Sequence, residues 1–403
     1  MSKLAEDLDI AGEEWVGSTS LSSRKALGQF MTPEALRERL LDKVRLFPGM
    51  KVLDPGVGTG GFLGAINDRE PSAILTGWDV DENILAYAEK NCPYATLKNK
   101  DALSAEPSEE FDLVIGNPPY FQIKATKEQK SRFSSVISGR PNIFAMFFQV
   151  AMENVRPGGQ IAFVVPPSMN NGSYFNSLRE FIEDNSIIDF LEIQKGDKLF
   201  DNAQTSVQLM VLTKGESGKA FHFDRVSTDG GFRRTIFNEN PSDLEDMFKG
   251  RKTIFELGYE SVTGTIVWNQ VKDRLSFEDG DNMTRLLWAK NIGFGNLRLD
   301  NYGDRAKYVK DVTPMEGPAI IVNRIVGSVG EGVLRSALIP KGVKFVGENH
   351  TNVIIARKGV SPLVSWLELL EMLQNPTLAE RVRLVTGNTQ ISTSELNHLL
   401  PLD

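Results

Sequence analysis

Residues 52–63, Val52-Leu53-Asp54-Pro55-Gly56-Val57-Gly58-Thr59-Gly60-Gly61-Phe62-Leu63, decide the fold. They read as a short apolar strand ending on a carboxylate, a glycine-rich turn, and the first residues of a helix. Four of the six residues from 56 to 61 are glycine. Such a turn lets backbone pass close to a ligand, while the helix that follows offers N–H groups without intrahelical partners. The pattern is Gly-x-Gly-x-Gly rather than Gly-x-Gly-x-x-Gly, and it lacks the Lys-Ser/Thr of a phosphate loop. By itself it indicates a nucleoside cofactor and nothing finer. The plainer reading, a tight turn that binds nothing, does not account for so many glycines, each of which costs conformational entropy.

Outward from this stretch, helical and short apolar patterns alternate. EALRERLLDKVR (34–45) is helical, SAILTGWDV a strand, DENILAYAEKN a helix, FDLVIGN a strand, NIFAMFFQVAMENV a helix, GGQIAFVVP a strand and YFNSLREFIEDN a helix. The alternation predicts an α/β fold with a doubly wound, mostly parallel sheet covered on both faces. The last two strand candidates, SIIDFLEI and SVQLMVLTK, have no clear helix between them, which predicts an antiparallel edge. The rhythm breaks after Lys214. Residues 1–23 read as an N-terminal extension, 24–215 as the cofactor-binding catalytic domain, and the polar, turn-rich 216–250 as a linker region. Residues 251–403 read as a loop-rich α+β domain, with β-like pieces GTIVW, AIIVNRIV and NVIIAR and a helix VSWLELLEML.

The 403 residues are 41% hydrophobic and 24% charged, the balance of a soluble globular protein with room for two domains. No apolar run reaches the roughly eighteen residues of a membrane span, and MSKLAEDLDIAGEEWVG does not resemble a secretion signal, so a cytoplasmic protein is expected. One cysteine and three scattered histidines leave no disulfide and no zinc pattern, and no metal is expected. The net charge of −8 argues against coating nucleic acid by global attraction. Its distribution is uneven. Residues 1–220 hold 23 Lys+Arg against 30 Asp+Glu, whereas residues 282–358 hold 12 against 6. Those twelve include Arg298, Arg305, Lys307, Lys310, Arg324, Arg335, Lys341 and Lys344; a solvated surface is the bland reading and a phosphate-facing wall the sharp one.

Three further features carry chemistry. Asp79 ends the second strand about twenty residues after the glycine turn, where such a carboxylate accepts from ribose hydroxyls. Asp101 follows the third strand candidate, in reach of an exocyclic amine or equally a solvated loop residue. Asn117-Pro118-Pro119-Tyr120 follows the strand FDLVIG directly. The two prolines stiffen the turn and remove two donors. The Asn117 amide oxygen and the Pro118 carbonyl then can accept both hydrogens of one planar NH2 group, and the Tyr120 ring offers a stacking face.

Together these pieces resemble the AdoMet-dependent methyltransferases that modify exocyclic amines, and among them the TaqI-like DNA adenine-N6 methyltransferases of the γ arrangement. Gly28-Gln29-Phe30-Met31-Thr32-Pro33 resembles the segment ahead of the cofactor loop, LDPGVGTGGF the loop, and NPPY the catalytic motif; GTIVWNQVKDRLS, GENHTNVI and TGNTQISTSEL resemble pieces of a target recognition domain. The resemblance implies a Rossmann-like methyltransferase sheet followed by an α+β target recognition domain, with S-adenosyl-L-methionine as cofactor. It implies cofactor contacts from Thr32, Asp54, Gly56, Gly58, Asp79 and Asp101. It places Asn117, Pro118, Pro119 and Tyr120 at the catalytic centre, with Phe200 closing the other side of a flipped base. The implied partner is double-stranded DNA; a separate cognate restriction endonuclease is a further candidate partner that the sequence does not decide, and a monomer would suit an asymmetric target. The basic stretch FQIKATKEQKSRFSSVISGRPN (121–142), with Lys124, Lys127, Lys130, Arg132 and Arg140, is expected to grip a strand. A protein glutamine amide or an RNA base amine would suit the same motif, but neither substrate gives a reason for about 150 further residues with a basic middle.

Overall fold

The computed structural model describes residues 31–139, 141–194, 206–215, 218–227, 231–324, 333–385 and 390–403. The chain divides into two compact units, one made of residues 1–223 and 235–241, the other of 224–234 and 242–403.

The first unit is built on a seven-stranded sheet. Its strands are β1 (Lys51–Asp54), β2 (Ile74–Asp79), β3 (Thr96–Asn99), β4 (Phe111–Gly116), β5 (Val155–Val165), β6 (Ser186–Gln194) and β7 (Val207–Lys214). They lie in the order β3-β2-β1-β4-β5-β7-β6. The five from β3 to β5 are parallel, and β7 runs antiparallel to both β5 and β6. The antiparallel strand is thus at the expected end of the sheet, one place in from the edge, where β6 and β7, consecutive in sequence, pair antiparallel.

Strand residues alternate between two hydrophobic cores. Leu53, Val114, Ile161 and Phe163 face one, with Phe144 and Phe148; Val52, Leu113, Ile115 and Ala162 face the other, with Leu40, Leu63 and Ile66. Burial on both faces is why VLD and FDLVIG read as nearly continuous apolar runs. The helices are α1 (Glu34–Leu41), α2 (Gly61–Arg69), α3 (Glu82–Asn91), α4 (Lys127–Arg132), α5 (Ile143–Asn154) and α6 (Asn176–Asn185). α5 is buried over almost its whole length, from Phe144 to Asn154, which explains its lack of a polar face. Between β3 and β4 only one 3-10 turn (Ala102–Ser104) forms, so Asp101 enters β4 through a short loop rather than a helix.

The described residues of the region 216–250, read from sequence as a linker region, carry regular structure. They form a hairpin of β8 (His222–Val226) and β9 (Arg233–Phe237), followed by α7 (Pro241–Phe248), and the division between units passes through both strands. HFDRV and RRTIF are charged and five residues long, so neither shows the apolar run that marks a strand in sequence.

The second unit holds a four-stranded antiparallel sheet with strands Tyr259–Thr263, Thr351–Ala356, Ala319–Asn323 and Ser336–Ile339 in that order. A five-stranded mixed sheet runs Leu275–Ser276, Tyr308–Lys310, Met283–Leu287, Lys344–Gly347, Met315–Glu316. Two of the expected β pieces are strands in the first sheet. GTIVW is not: Ile266 makes an isolated bridge to Glu348, and Trp268 opens a 3-10 turn. Helices α8 (Trp366–Leu373), α9 (Leu378–Val385) and α10 (Thr393–His398) follow. Both α8 and α10 start from a Ser–Glu capping box, Ser365–Glu368 and Ser392–Glu395.

Candidate active site

The parallel strands place their carboxyl ends on one edge of the sheet, and the predicted cofactor residues gather there. Asp54 closes β1 with its side chain 1% exposed, and its Oδ1 accepts the Gly56 N–H at 3.1 Å. Burial pushes the Asp54 carboxyl up to about 8, with the charge of Asp79 adding to the shift. Asp79 closes β2. Its Oδ2 accepts the Gly58 N–H and its Oδ1 the Asp81 N–H, each at 3.0 Å, and burial raises its pKa as well. The Val57 N–H donates to the Trp78 carbonyl at 2.9 Å, so the glycine loop is tied at two points to the end of β2.

Two glycines in the loop are needed for conformation. Gly58 has φ +53° and Gly60 φ +91°, and a Cβ on Gly60 would stand 2.7 Å from the Cys92 sulfur. A Cβ on Gly56 would meet Phe147 at 3.7 Å, an ordinary contact. Met31 lies on the loop, its sulfur accepting from the Thr59 hydroxyl at 3.5 Å; Thr32 is buried, and its carbonyl accepts from the Arg37 guanidinium at 2.8 Å. The described end of the GQFMTP segment is therefore beside the cofactor loop. Asp101 is exposed two residues past β3, and its carboxylate accepts from the Leu103 N–H and the Ser104 hydroxyl, both at 2.9 Å. It caps the 3-10 turn, a local role that leaves its second lone pairs for a ligand.

The NPPY turn begins where β4 ends. Gly116 is the residue that lets it approach the loop, since a Cβ there would stand 2.8 Å from Asp54 Oδ1. Gly116 escaped the sequence reading, although a glycine closing the strand immediately before Asn117 was a visible signal. Pro118 is buried, while Asn117, Pro119 and Tyr120 are partly exposed. The Tyr120 hydroxyl lies against two acceptors, the Val164 carbonyl at the end of β5 (2.8 Å) and Asn117 Oδ1, and its single proton can serve either. Its ring meets Phe144 edge-on at 6.3 Å, and burial holds the phenol well above its ordinary pKa, so it stays protonated. Phe200 and Arg140 lie outside the described residues.

The expected strand-gripping loop is corrected in one part. Thr126 and Gln129 form a capping box for α4, and Phe133 and Val136 are buried in the core. The Arg132 guanidinium donates to the Leu103 and Ala105 carbonyls and pairs with Glu153 at 2.7 Å, so it points inward. Lys124, Lys127 and Lys130 are exposed.

The donor set suits S-adenosyl-L-methionine. Carboxyl groups at or just past the ends of three adjacent strands, Asp54, Asp79 and Asp101, offer acceptors to hydroxyls and to an amine beside the glycine loop. Among the described residues no His/Cys/Asp/Glu group has metal-binding geometry, and no helix is long and apolar enough to cross a membrane.

Residues 74–200 match the family model described as Eco57I restriction-modification methylase. The chain is 24% identical to Type II methyltransferase M.BsuBI of Bacillus subtilis, over 93% of this chain and 87% of that protein. It is 29% identical to modification methylase CviBIII of Paramecium bursaria Chlorella virus NC1A, a match that covers 49% of this chain and about half (53%) of that relative's length. A release factor glutamine methyltransferase of Caulobacter vibrioides is 32% identical, over 33% of this chain and 52% of its own.

Proposed function

We propose that this chain, a relative of the restriction-modification methyltransferases with an AdoMet-dependent methyltransferase fold, is a site-specific DNA methyltransferase that modifies N6 of an adenine flipped out of the duplex. The observation that carries the proposal is the NPPY turn, set on the carboxyl end of β4 and brought against the cofactor loop by the contact of Gly116 with Asp54. The match to M.BsuBI extends through the second unit, which supports DNA over a small protein substrate.

In this reading the bound cofactor supplies an electrophilic methyl group on a sulfonium. Asn117 Oδ1 and the Pro118 carbonyl accept the two N6 hydrogens, which favours a more pyramidal nitrogen whose lone pair points at the methyl group. No base is needed beforehand, because the N6 proton becomes acidic only as positive charge develops there. Rotating the adenine out of the stack costs a few kcal/mol. Stacking on the Tyr120 ring, and on Phe200 from the other side, returns about 1–3 kcal/mol per base. Double-stranded DNA as partner, a separate restriction endonuclease, a monomeric state and a cytoplasmic setting belong to the same proposal.

The test is single-molecule sequencing of DNA from a methylation-free host expressing the protein, beside an Asn117→Ala control. Adenine methylation at one short motif, lost by at least about a hundredfold in the control while AdoMet binding persists, is expected. Transfer by the variant at the wild-type rate would refute the assignment of Asn117. AdoMet binding without any DNA methylation would redirect the search to a glutamine amide, the substrate named for the Caulobacter relative.

A further inference from the structure

In the second unit a tight turn runs from Ile292 to Leu297, closed by a bridge between those two residues and by the Gly293 N–H donating to the Asn296 carbonyl at 2.9 Å. Phe294 at its tip is 61% exposed. The turn is docked on the strand Ser336–Ile339: the Gly295 N–H donates to the Ser336 carbonyl at 2.8 Å, and Gly295 pairs with Ala337. Arg335 immediately precedes that strand, and Arg298 immediately follows the turn.

The backbone beside each arginine is held by a buried asparagine. Buried Asn291 donates to the Arg298 and Asn301 carbonyls at 3.0 Å, and buried Asn323 accepts the Arg335 N–H while donating to the Val333 carbonyl at 3.0 Å. The Arg298 guanidinium folds over Gly293, where a Cβ would lie 3.1 Å from its Nε. That Cβ would meet Asn296 first, its Oδ1 at 2.4 Å and its carbonyl oxygen at 2.8 Å. Partial burial and the charge of Arg298 both lower the Arg335 pKa. Neither guanidinium makes an ion pair or a side-chain hydrogen bond among the described residues.

Two like charges held near each other, with no carboxylate paired to either among the described residues, are unfavourable until an anion joins them. The forked donors of arginine fit the two unesterified oxygens of a phosphodiester. A free inorganic anion has no use for the exposed Phe294 alongside; a nucleotide strand, which joins phosphate to an apolar sugar edge and base face, uses both.

We propose that Arg298 and Arg335 clamp one backbone phosphate of the DNA substrate, with Phe294 packed on the adjoining nucleotide. The inference rests on the reading of DNA as substrate and adds that the pair positions the duplex without reading sequence.

The experiment measures anisotropy of a labelled duplex carrying the methylated motif, and of an unrelated duplex, over about 50 to 200 mM salt. It compares wild type with Arg298→Gln, Arg335→Gln and the double variant. For one shared phosphate, the slope of log affinity against log salt falls by about one in the double variant, and affinity drops equally for both duplexes. Thermal midpoints of the single variants stay at or above wild type, because a repulsion has been removed. An unchanged slope, a slope reduced by about two, or a loss confined to the motif duplex would each overturn the clamp. Failure of the wild-type protein to bind duplex DNA would overturn the substrate reading, and the clamp with it; wild-type binding and methylation with unaltered variants would overturn the clamp alone.

Discussion

Asp54→Asn should remove from the first unit the loss of stability that ionisation of Asp54 causes as pH rises. The Asp54 carboxyl has a pKa near 8 in the folded chain against an ordinary 3.8. Below about pH 4 it is protonated in both folded and unfolded chains. Between about 4 and 8 the unfolded chain has released a proton that the folded chain keeps, so stability falls with rising pH by about 1.4 kcal/mol per unit. Above about 8 both forms are ionised and the loss levels off. From pH 5 to pH 8 this amounts to about 4 kcal/mol, an upper bound because solvent reorganisation around the ionised group reduces it.

Asparagine is nearly isosteric, keeps an acceptor for the Gly56 N–H and does not titrate. The measurement is urea unfolding of both proteins from pH 5 to pH 9, following the transition that S-adenosylhomocysteine shifts to higher denaturant, which marks the unit holding Asp54. The advantage of Asp54→Asn should grow steadily to about pH 8 and then stay constant, while other titrating groups cancel in the difference. A difference that does not vary with pH, or a wild type that gains on the variant as pH rises, would show that Asp54 is ionised at neutral pH and would refute the reasoning.

Other substitutions probe the same edge of the sheet. Gly116→Ala places a methyl group 2.8 Å from Asp54 Oδ1; a loss of roughly 1–3 kcal/mol in stability and weaker AdoMet binding by calorimetry are expected, and wild-type values for both would show that the contact is slack. Asp79→Ala leaves the Gly58 and Asp81 N–H groups without their acceptors, costing about 1–3 kcal/mol. Asp79→Asn, which retains one acceptor, should be the more stable of the two while losing AdoMet affinity as fully, if the carboxylate serves the ribose. Arg132→Ala should lower the melting temperature through loss of the Glu153 pair and its carbonyl contacts, worth about 1–3 kcal/mol, and should leave the salt dependence of DNA binding unaltered. A reduced salt slope would return Arg132 to the strand-gripping role.

Local sequence was sufficient wherever a single segment carries its own signal. The parallel α/β sheet follows from apolar runs of strand length alternating with helical periodicity, and the glycine turn, Asp79 and NPPY declare themselves because each sits at the end of such a run. The hairpin β8–β9 was hidden because HFDRV and RRTIF are half polar and derive their order from pairing with each other, a long-range term that no window contains. Arg132 shows the same limit: in sequence it is one basic residue among several, and only the fold brings Glu153 and two carbonyls to it. The burial of Asp54, the closeness of Gly116 to it and the nearness of Arg298 to Arg335 likewise come from tertiary structure. Residue type supplies a group's chemistry, but desolvation and the field of neighbours distant in the chain set its charge and reach, and these exist only once the chain has folded.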